Sequence, residues 1–173
     1  MRKFSYLGVA LLLVLLAGCG GPSAAEKKAE KDRTVAAAAK KKQEARQKKI
    51  GETGALCKQM VQEFSDSLDD LNSRLSVGLK PDDYSGRLGD ISVAYDKTDW
   101  DKTPNVYCVQ KVGVPLEDAY KDFVSAGSTW SDCIASYNCD VEKDKLPGMQ
   151  KKWAHAGTLI ERSKAALEDF QLD

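Results

Sequence analysis

Histidine is almost absent from this 173-residue chain, and its scarcity limits the chemistry that the protein can perform. The single histidine, His155, cannot build a His-rich metal site. As a general base it would need a nucleophile, and the sequence has no Gly-x-Ser-x-Gly motif to supply one. Zinc-binding HExxH motifs and glycine-rich phosphate loops are also missing. We therefore interpret His155 as a surface or boundary residue and expect neither a metal nor a cofactor.

Alternating strand patterns and Asn-Gly hairpin turns are missing as well. Instead, apolar residues recur every three or four positions in four segments, as they do on one face of a helix. The sequence therefore predicts an all-α antiparallel bundle of about four helices. The predicted inward faces are Leu56, Met60, Phe64, Leu68, Leu71 and Leu75; Tyr84, Leu88, Ile91 and Tyr95; Leu116, Tyr120, Phe123, Gly127, Trp130, Ile134 and Tyr137; and Leu146, Met149, Trp153, Gly157, Ile160, Leu167 and Phe170.

Glycine and proline indicate where these helices begin and end. We expect Gly51 and Gly54 to interrupt the chain before the first helix, and Gly78 and Pro81 to separate the first helix from the second. Acidic residues after Pro81 fall in the first turn of the second helix, where their negative charge is stabilised by the positive end of the helix dipole.

Two further glycines, Gly127 and Gly157, fall on inward faces, where the missing side chain lets a neighbouring helix or ring approach closely. We expect Trp130 and Trp153 to stack across the core nearby.

The one long apolar run, residues 6–16, is too short for a stable membrane span. It follows Arg2 and Lys3, as in a secretory signal peptide. The tetrad that ends it, Leu16-Ala17-Gly18-Cys19, resembles the lipobox of exported bacterial lipoproteins. That resemblance implies that the Cys19 thiol takes up a diacylglycerol, with palmitate among the expected acyl chains, and becomes the new N-terminus. The alternative is an ordinary secretory signal whose cysteine is incidental.

The zero net charge of the chain conceals a basic and an acidic part. Residues 20–50 carry ten Lys and Arg against four Asp and Glu, whereas residues 51–173 carry 14 against 22. We therefore expect a signal peptide (1–18), a lipidated Cys19 with a basic, Lys/Ala-rich tether (19–53) and an acidic helical domain (54–173). The tether would be drawn to anionic headgroups or wall polymers. An acidic domain argues against nucleic acid as a partner.

Four cysteines remain besides Cys19, and an even number in an exported chain predicts two disulfides. In an up-down bundle, Cys57 and Cys108 share one end and Cys133 and Cys139 the other. A disulfide requires α carbons within about 7 Å, so we favour these two pairings. The absence of CxxC spacing makes a zinc site or a redox-active pair the weaker alternatives.

Acidic residues provide a first candidate site in the longest connection. Asp99, Trp100 and Asp101 form a candidate ligand surface for a sugar or a peptide, and with Asp96 they carry the alternative of acid-based catalysis. The competing structural interpretation places Trp100 over the end of the bundle beside Cys108.

A second acidic group has the alternating spacing that begins a calcium loop: Asp140, Glu142 and Asp144. However, Lys145 replaces the glycine at the sixth position, and Lys151 stands where the closing glutamate is required. We expect these carboxylates to cap the fourth helix instead.

Five short segments of the domain carry a resemblance to known sequences: Val77-Gly-Leu79, Gly89-Asp-Ile-Ser-Val-Ala-Tyr-Asp96, Val112-Gly-Val-Pro-Leu116, Trp130-Ser-Asp-Cys133 and Lys151-Lys-Trp153. Over residues 56–167 the chain resembles a group of uncharacterised exported proteins and lipoproteins of actinobacteria. The resemblance implies a secreted helical domain with paired cysteines, held at the outer face of the plasma membrane. It carries no established activity or site.

These observations lead us to expect a lipid-anchored cell-envelope protein that binds a wall polymer, a small ligand or an envelope protein without catalysis. The alternative is an envelope enzyme that uses acidic residues near 96–101. Desolvated carboxylates in a cleft would favour the enzyme, whereas a solvated acidic surface with one apolar groove would favour the binding module.

Overall fold

The computed structural model describes residues 23–172, with side chains through residue 170. Within that range the chain forms four α-helices and no strand: α1 (Ala24–Val77), α2 (Pro81–Lys97), α3 (Val114–Ala135) and α4 (Leu146–Leu172). A 3₁₀ turn at Trp100–Lys102 lies between α2 and α3, and π-helical turns at Cys108–Gly113 and Val141–Lys145 precede α3 and α4. The predicted all-α class is confirmed. The signal segment and Cys19 lie outside the described residues.

Contacts divide the chain into two units, one ending at Lys42 and one beginning at Gln43. In the first unit, residues 23–42 are helical from Ala24 onward, and their side chains are exposed. The helix begins with a capping box, in which the Ser23 N–H donates to Glu26 Oε2 (2.7 Å) and the Glu26 N–H donates to Ser23 Oγ (3.3 Å). This segment has no apolar face to bury, so its helix depends on capping and on the propensity of its alanines and charged residues.

The second unit, residues 43–173, contains the bundle, and its contacts run antiparallel between neighbouring helices. Early positions in one helix meet late positions in the next, as an up-down bundle requires. The contacts are Gly54 with Phe170 and Asn72 with Gly157 for α1 and α4; Glu63 with Lys97 and Asp70 with Arg87 for α1 and α2; Tyr84 with Phe123 and Tyr95 with Tyr120 for α2 and α3; and Val112 with Ser163 and Asp122 with His155 for the chain around α3 and α4.

The turn from α1 to α2 forms where glycine and proline predicted it. Gly78 has a φ of 93°, a left-handed conformation that glycine adopts at little cost and that commonly ends a helix. Pro81 then occupies the first turn of α2, followed by Asp82 and Asp83 beside the positive helix end.

The predicted interruption at Gly51 and Gly54 is wrong, because α1 continues through both positions. A β carbon at Gly54 would lie 2.6 Å from Phe170 Cβ, whereas nothing lies within 4 Å of one at Gly51. Gly54 therefore provides room for a side chain from the end of α4 while remaining helical.

The buried faces agree with the predicted periodicity along most of each helix and depart from it at the ends. In α1 the buried face includes Cys57 and Val61, whereas the predicted Leu56 is 56 % exposed. In α3 the predicted stripe leaves the core at its C-terminal end, where Ile134 is 56 % exposed and Tyr137 lies fully in solvent. The largest fully buried side chains are Tyr84, Phe64, Phe123, Leu68, Leu71, Ile91, Leu116, Met149 and Ile160.

Two disulfides join the cysteine pairs that the up-down topology favoured. Cys57 of α1 is bonded to Cys108, with α carbons 5.9 Å apart, and Cys133 of α3 to Cys139, with α carbons 5.2 Å apart. The first links two segments 51 residues apart, and the second holds the turn after α3 against that helix.

Candidate functional site

A small pocket opens between the first turn of α2 and the last turns of α3. Its volume is about 150 Å³, and its lining includes Asp82, Tyr84 and Ser85 from α2 and Trp130, Ser131 and Ile134 from α3. The two helices approach closely beside it because Gly127 has no side chain: a β carbon there would lie 2.9 Å from Leu88 Cδ1 and 3.0 Å from Tyr84 Cε1. Gly127 thus serves as a packing residue, as predicted, and allows the rings of the pocket to meet α3.

Two aromatic rings, Tyr84 and Trp130, line this pocket, and the Trp153 ring packs beside both of them. The centroid of the Tyr84 ring lies 5.6 Å from that of Trp130 and 6.0 Å from that of Trp153. The centroids of the two tryptophan rings are 6.0 Å apart, and their planes are inclined at 56°. Trp130 and Trp153 therefore meet as predicted, with tilted rather than stacked rings and with Tyr84 as a third member. Tilted contacts between aromatic rings stabilise a fold by more than the burial of their apolar area alone.

The Tyr84 hydroxyl fixes the position of this wall. It donates a hydrogen bond to the Phe123 carbonyl (2.7 Å) and accepts one from Trp153 Nε1 (3.1 Å). Burial raises the pKa of the Tyr84 phenol above its ordinary value of 10.0, so the group remains neutral at physiological pH. Tyr84 is thus a rigid, uncharged wall.

Three other polar groups at the pocket make no hydrogen bond among residues 23–170. Helical serine and threonine hydroxyls commonly bond back to their own helix. Thr53, Ser67, Thr129 and Thr158 do so here. In contrast, Ser85, Ser131 and the Trp130 indole N–H make no hydrogen bond within the described part of the chain. These groups are available to a bound molecule.

The exposed end of the α3 stripe extends the apolar wall into solvent. Ile134 lines the pocket next to Trp130, and Tyr137 follows in the turn that the Cys133–Cys139 disulfide holds. Single exposed apolar side chains are common on protein surfaces, but Ile134 also lines the pocket and so extends its apolar lining to the rim. This end of the bundle therefore combines a recess, a rigid aromatic wall and an exposed apolar rim.

At the predicted ligand surface, Asp99 and Asp101 are exposed and Trp100 is half-buried. The half-buried Trp100 ring packs over Gly113, where a β carbon would lie 2.6 Å from Trp100 Cζ3, and contacts the rings of Phe64 and Tyr95. Its Nε1 is buried with no hydrogen-bond partner among residues 23–170. Trp100 thus covers the end of the bundle, whose π-helical turn contains Cys108.

The neighbouring carboxylates face water. Asp99 pairs with Lys102 (2.5 Å), and this hydrogen bond and charge hold the pKa of Asp99 below its ordinary value of 3.8. Asp96 and Asp101 are exposed. All three carboxylates of this surface are therefore exposed to solvent.

A wider acidic groove lies between α1 and α2, is about 370 Å³ in volume, and has two of its carboxylates paired with arginine side chains. Arg87 Nη1 lies 3.4 Å from Asp70 Oδ2 and 3.8 Å from Asp90 Oδ2, and Arg74 Nε donates to Asp70 at 2.8 Å. Asp70 and Asp90 are therefore paired, whereas Asp66 makes no ion pair within the described part of the chain.

The remaining predicted residues are His155 and the carboxylates that precede α4. His155 is exposed and lies 2.6 Å from Asp122 across α3 and α4, in agreement with its interpretation as a surface residue. Asp140 accepts a hydrogen bond from the Lys143 N–H, and Asp144 accepts one from the Asp140 N–H, so these two carboxylates cap the start of the last helical segment. The third predicted capping residue, Glu142, makes no hydrogen bond within the described part of the chain.

Sequence reasoning placed Trp130 and Ile134 in the core and passed over Ser85 and Ser131. Each serine is one residue away from an aromatic member of the pocket, Tyr84 or Trp130, and that adjacency is the only local signal. The register between α2 and α3 brings these pairs together, and helical periodicity does not specify that register.

We find no match for this chain among protein-family models, curated proteins or solved structures. Between residues 23 and 172, no helix is long and apolar enough to cross a bilayer. The same residues hold no cluster of three or more His, Cys, Asp or Glu side chains arranged for a metal ion.

Proposed function

We propose that this protein is a lipoprotein, anchored through Cys19 to the outer face of the plasma membrane, whose helical bundle binds a component of the cell envelope without catalysis. The observation that carries the binding role is the pocket between α2 and α3, with its exposed Ile134 rim. Ligand sites combine apolar walls with a few polar groups, and this pocket has both.

The basic segment supports an envelope location. Residues 23–42 carry seven Lys and Arg against three Asp and Glu, and their side chains are exposed. Such a segment is attracted to anionic headgroups and wall polymers, and salt screens this attraction. The attraction adds to the hold of the acyl chains on Cys19, because a single chain binds a membrane only marginally.

The anchoring proposal is tested by replacing the modified cysteine. We expect Cys19→Ser to move the protein from the membrane fraction to the soluble fraction of its own organism, because the variant cannot receive a diacylglycerol. Metabolic labelling with palmitate should label the parent and not the variant. Equal amounts of parent and variant in the membrane fraction would refute the lipid anchor.

The binding proposal is tested with cell-wall material from which detergent has removed the membranes. The full-length Cys19→Ser chain should sediment with this material even in about 0.5 M NaCl, which screens the contribution of the basic segment. Adding Ile134→Glu should abolish sedimentation, because a charge at the pocket rim opposes apolar contact.

Val93→Glu is the matched control, because Val93 is 53 % exposed on α2 and lies outside the pocket, whereas Ile134 is 56 % exposed. It should sediment like its parent. Equal sedimentation of the two glutamate variants, or none by the parent, would contradict a binding role for this pocket.

A further inference from the structure

We propose that the pocket between α2 and α3 binds a single sugar ring of an envelope polymer; this inference rests on the proposed function and names its ligand class. The volume of about 150 Å³ lies below the roughly 300 Å³ at which pockets for larger ligands begin. One small ring therefore fits the recess, and the rest of a polymer extends past the exposed Ile134.

The hydrogen-bonding groups at the pocket define what the ring must carry. The hydroxyls of Ser85 and Ser131 both donate and accept, the Asp82 carboxylate only accepts, and the Trp130 indole N–H only donates. A ligand that satisfies this set needs donors and acceptors side by side. The hydroxyls of a sugar meet this need, because each one can donate and accept.

The aromatic wall supports the same assignment. A pyranose ring has C–H groups on its faces and hydroxyls around its rim, so one face can lie against an aromatic ring while the rim meets polar groups. Trp130 is half-buried, with the Tyr84 and Trp153 rings fixed beside it. The apolar face of the sugar is then matched to the Trp130 side of the pocket.

Charge distinguishes a sugar from two other small ligands. The pocket lining contains Asp82 and no Lys or Arg, so an anionic ligand would be repelled. An ammonium ion would suit Asp82 and the rings through cation–π contact. It offers no acceptor, however, and would leave the Trp130 N–H and the serine protons unmatched.

The test uses full-length protein in a polyoxyethylene ether detergent, which contains neither sugar nor ammonium. The three tryptophans, Trp100, Trp130 and Trp153, are labelled as 5-fluorotryptophan, and each fluorine resonance is assigned by a Trp→Phe variant. The probes are methyl glycosides of glucose, mannose, galactose, arabinose and N-acetylglucosamine, with tetramethylammonium chloride as the cationic probe. For a ligand of this size we expect an affinity of about 1 mM.

At least one glycoside should shift the Trp130 resonance saturably while the Trp100 resonance stays in place. Ser131→Ala should weaken this affinity about fivefold, the effect of losing one hydrogen bond. Ser128→Ala is the matched control, because Ser128 is an exposed serine of α3 outside the pocket, and it should leave the affinity unchanged.

The other outcomes separate the sugar assignment from the proposed function. If tetramethylammonium or a solubilised extract of the organism's envelope shifts Trp130 and no glycoside does, the sugar assignment is overturned and the binding role stands. If nothing shifts Trp130, both fail. Equal weakening by Ser131→Ala and Ser128→Ala would also overturn the assignment, because the sugar would then lie outside the pocket.

Discussion

At Gly54 the backbone of α1 lies against Phe170 so closely that a methyl group would meet Phe170 Cβ at 2.6 Å. We expect Gly54→Ala to lower the free energy of unfolding by about 1–3 kcal/mol, because the clash outweighs the gain in helix propensity. Gly51→Ala, three residues earlier in the same helix with nothing within 4 Å, should raise it by about 1 kcal/mol. Urea unfolding of the two variants measures both effects. Equal changes would show that α4 does not pack on α1 at Gly54.

Tyr84 predicts how stability responds to alkaline pH. Burial raises the pKa of its phenol, so above about pH 10 the unfolded chain loses this proton while the folded protein keeps it. The free energy of unfolding should therefore fall as pH rises above 10, and part of this fall should disappear in Tyr84→Phe. At neutral pH the same variant should be less stable by about 1–3 kcal/mol, because the Phe123 carbonyl and the Trp153 N–H lose their partner.

Tyr137→Phe is the control for Tyr84, because Tyr137 is fully exposed. It should reproduce the stability of the parent at neutral pH and its decline at alkaline pH, as measured by urea unfolding at each pH. If Tyr84→Phe retained the whole alkaline decline, the phenol would not be buried as described.

Among the elements, the two disulfides make unequal contributions. The Cys57–Cys108 bond closes a loop with a sequence separation of 51, and the Cys133–Cys139 bond one of 6. In the chain-entropy account their removal by paired Cys→Ala substitutions should lower the free energy of unfolding by about 4 and about 2 kcal/mol. Urea unfolding under oxidising conditions measures the difference. A larger loss from the short loop would mean that the turn after α3 stabilises the bundle by more than chain entropy.

Helical periodicity could predict the middle of each helix and, through up-down topology, the cysteine pairs. It failed at the ends, because a 3.6-residue repeat does not reveal where the neighbouring helices stop. Trp130, Ile134 and Tyr137 continue the α3 repeat, yet the core ends before Ile134. The start of α1 had a readable signal in the Ser-x-x-Glu capping box at Ser23, which composition alone did not identify.

The candidate site was less predictable than the fold. Its polar groups come from two helices, and only the α2–α3 register brings Ser85 near Ser131. Trp100 shows the opposite case: its acidic neighbours made it a candidate for binding, but Gly113 gives its ring a place against the bundle. Whether an aromatic side chain contacts a ligand or the core depends on small residues, such as Gly113, that leave space for its ring. The type of the aromatic residue does not reveal where those small residues lie.

At the scale of the whole molecule, the chain has a basic segment and an acidic bundle, and these suit the two proposed tasks of membrane association and ligand binding. The basic segment of residues 23–42 suits an anionic surface, and the acidic bundle carries the pocket at a site with no cation of its own. The proposed binding at this pocket is separable from the proposed anchoring at Cys19, because the two tasks are assigned to different residues. A variant defective in one should retain the other.

The most direct test of the central claim is amide hydrogen exchange, read by mass spectrometry, on the full-length protein with and without solubilised envelope polymer from its own organism. Slower exchange should be confined to peptides covering residues 81–85 and 127–134, the two ranges that contain the residues lining the pocket. Protection of residues 99–101 instead, or no protection anywhere in the bundle, would contradict the assignment of the binding site to the α2–α3 pocket.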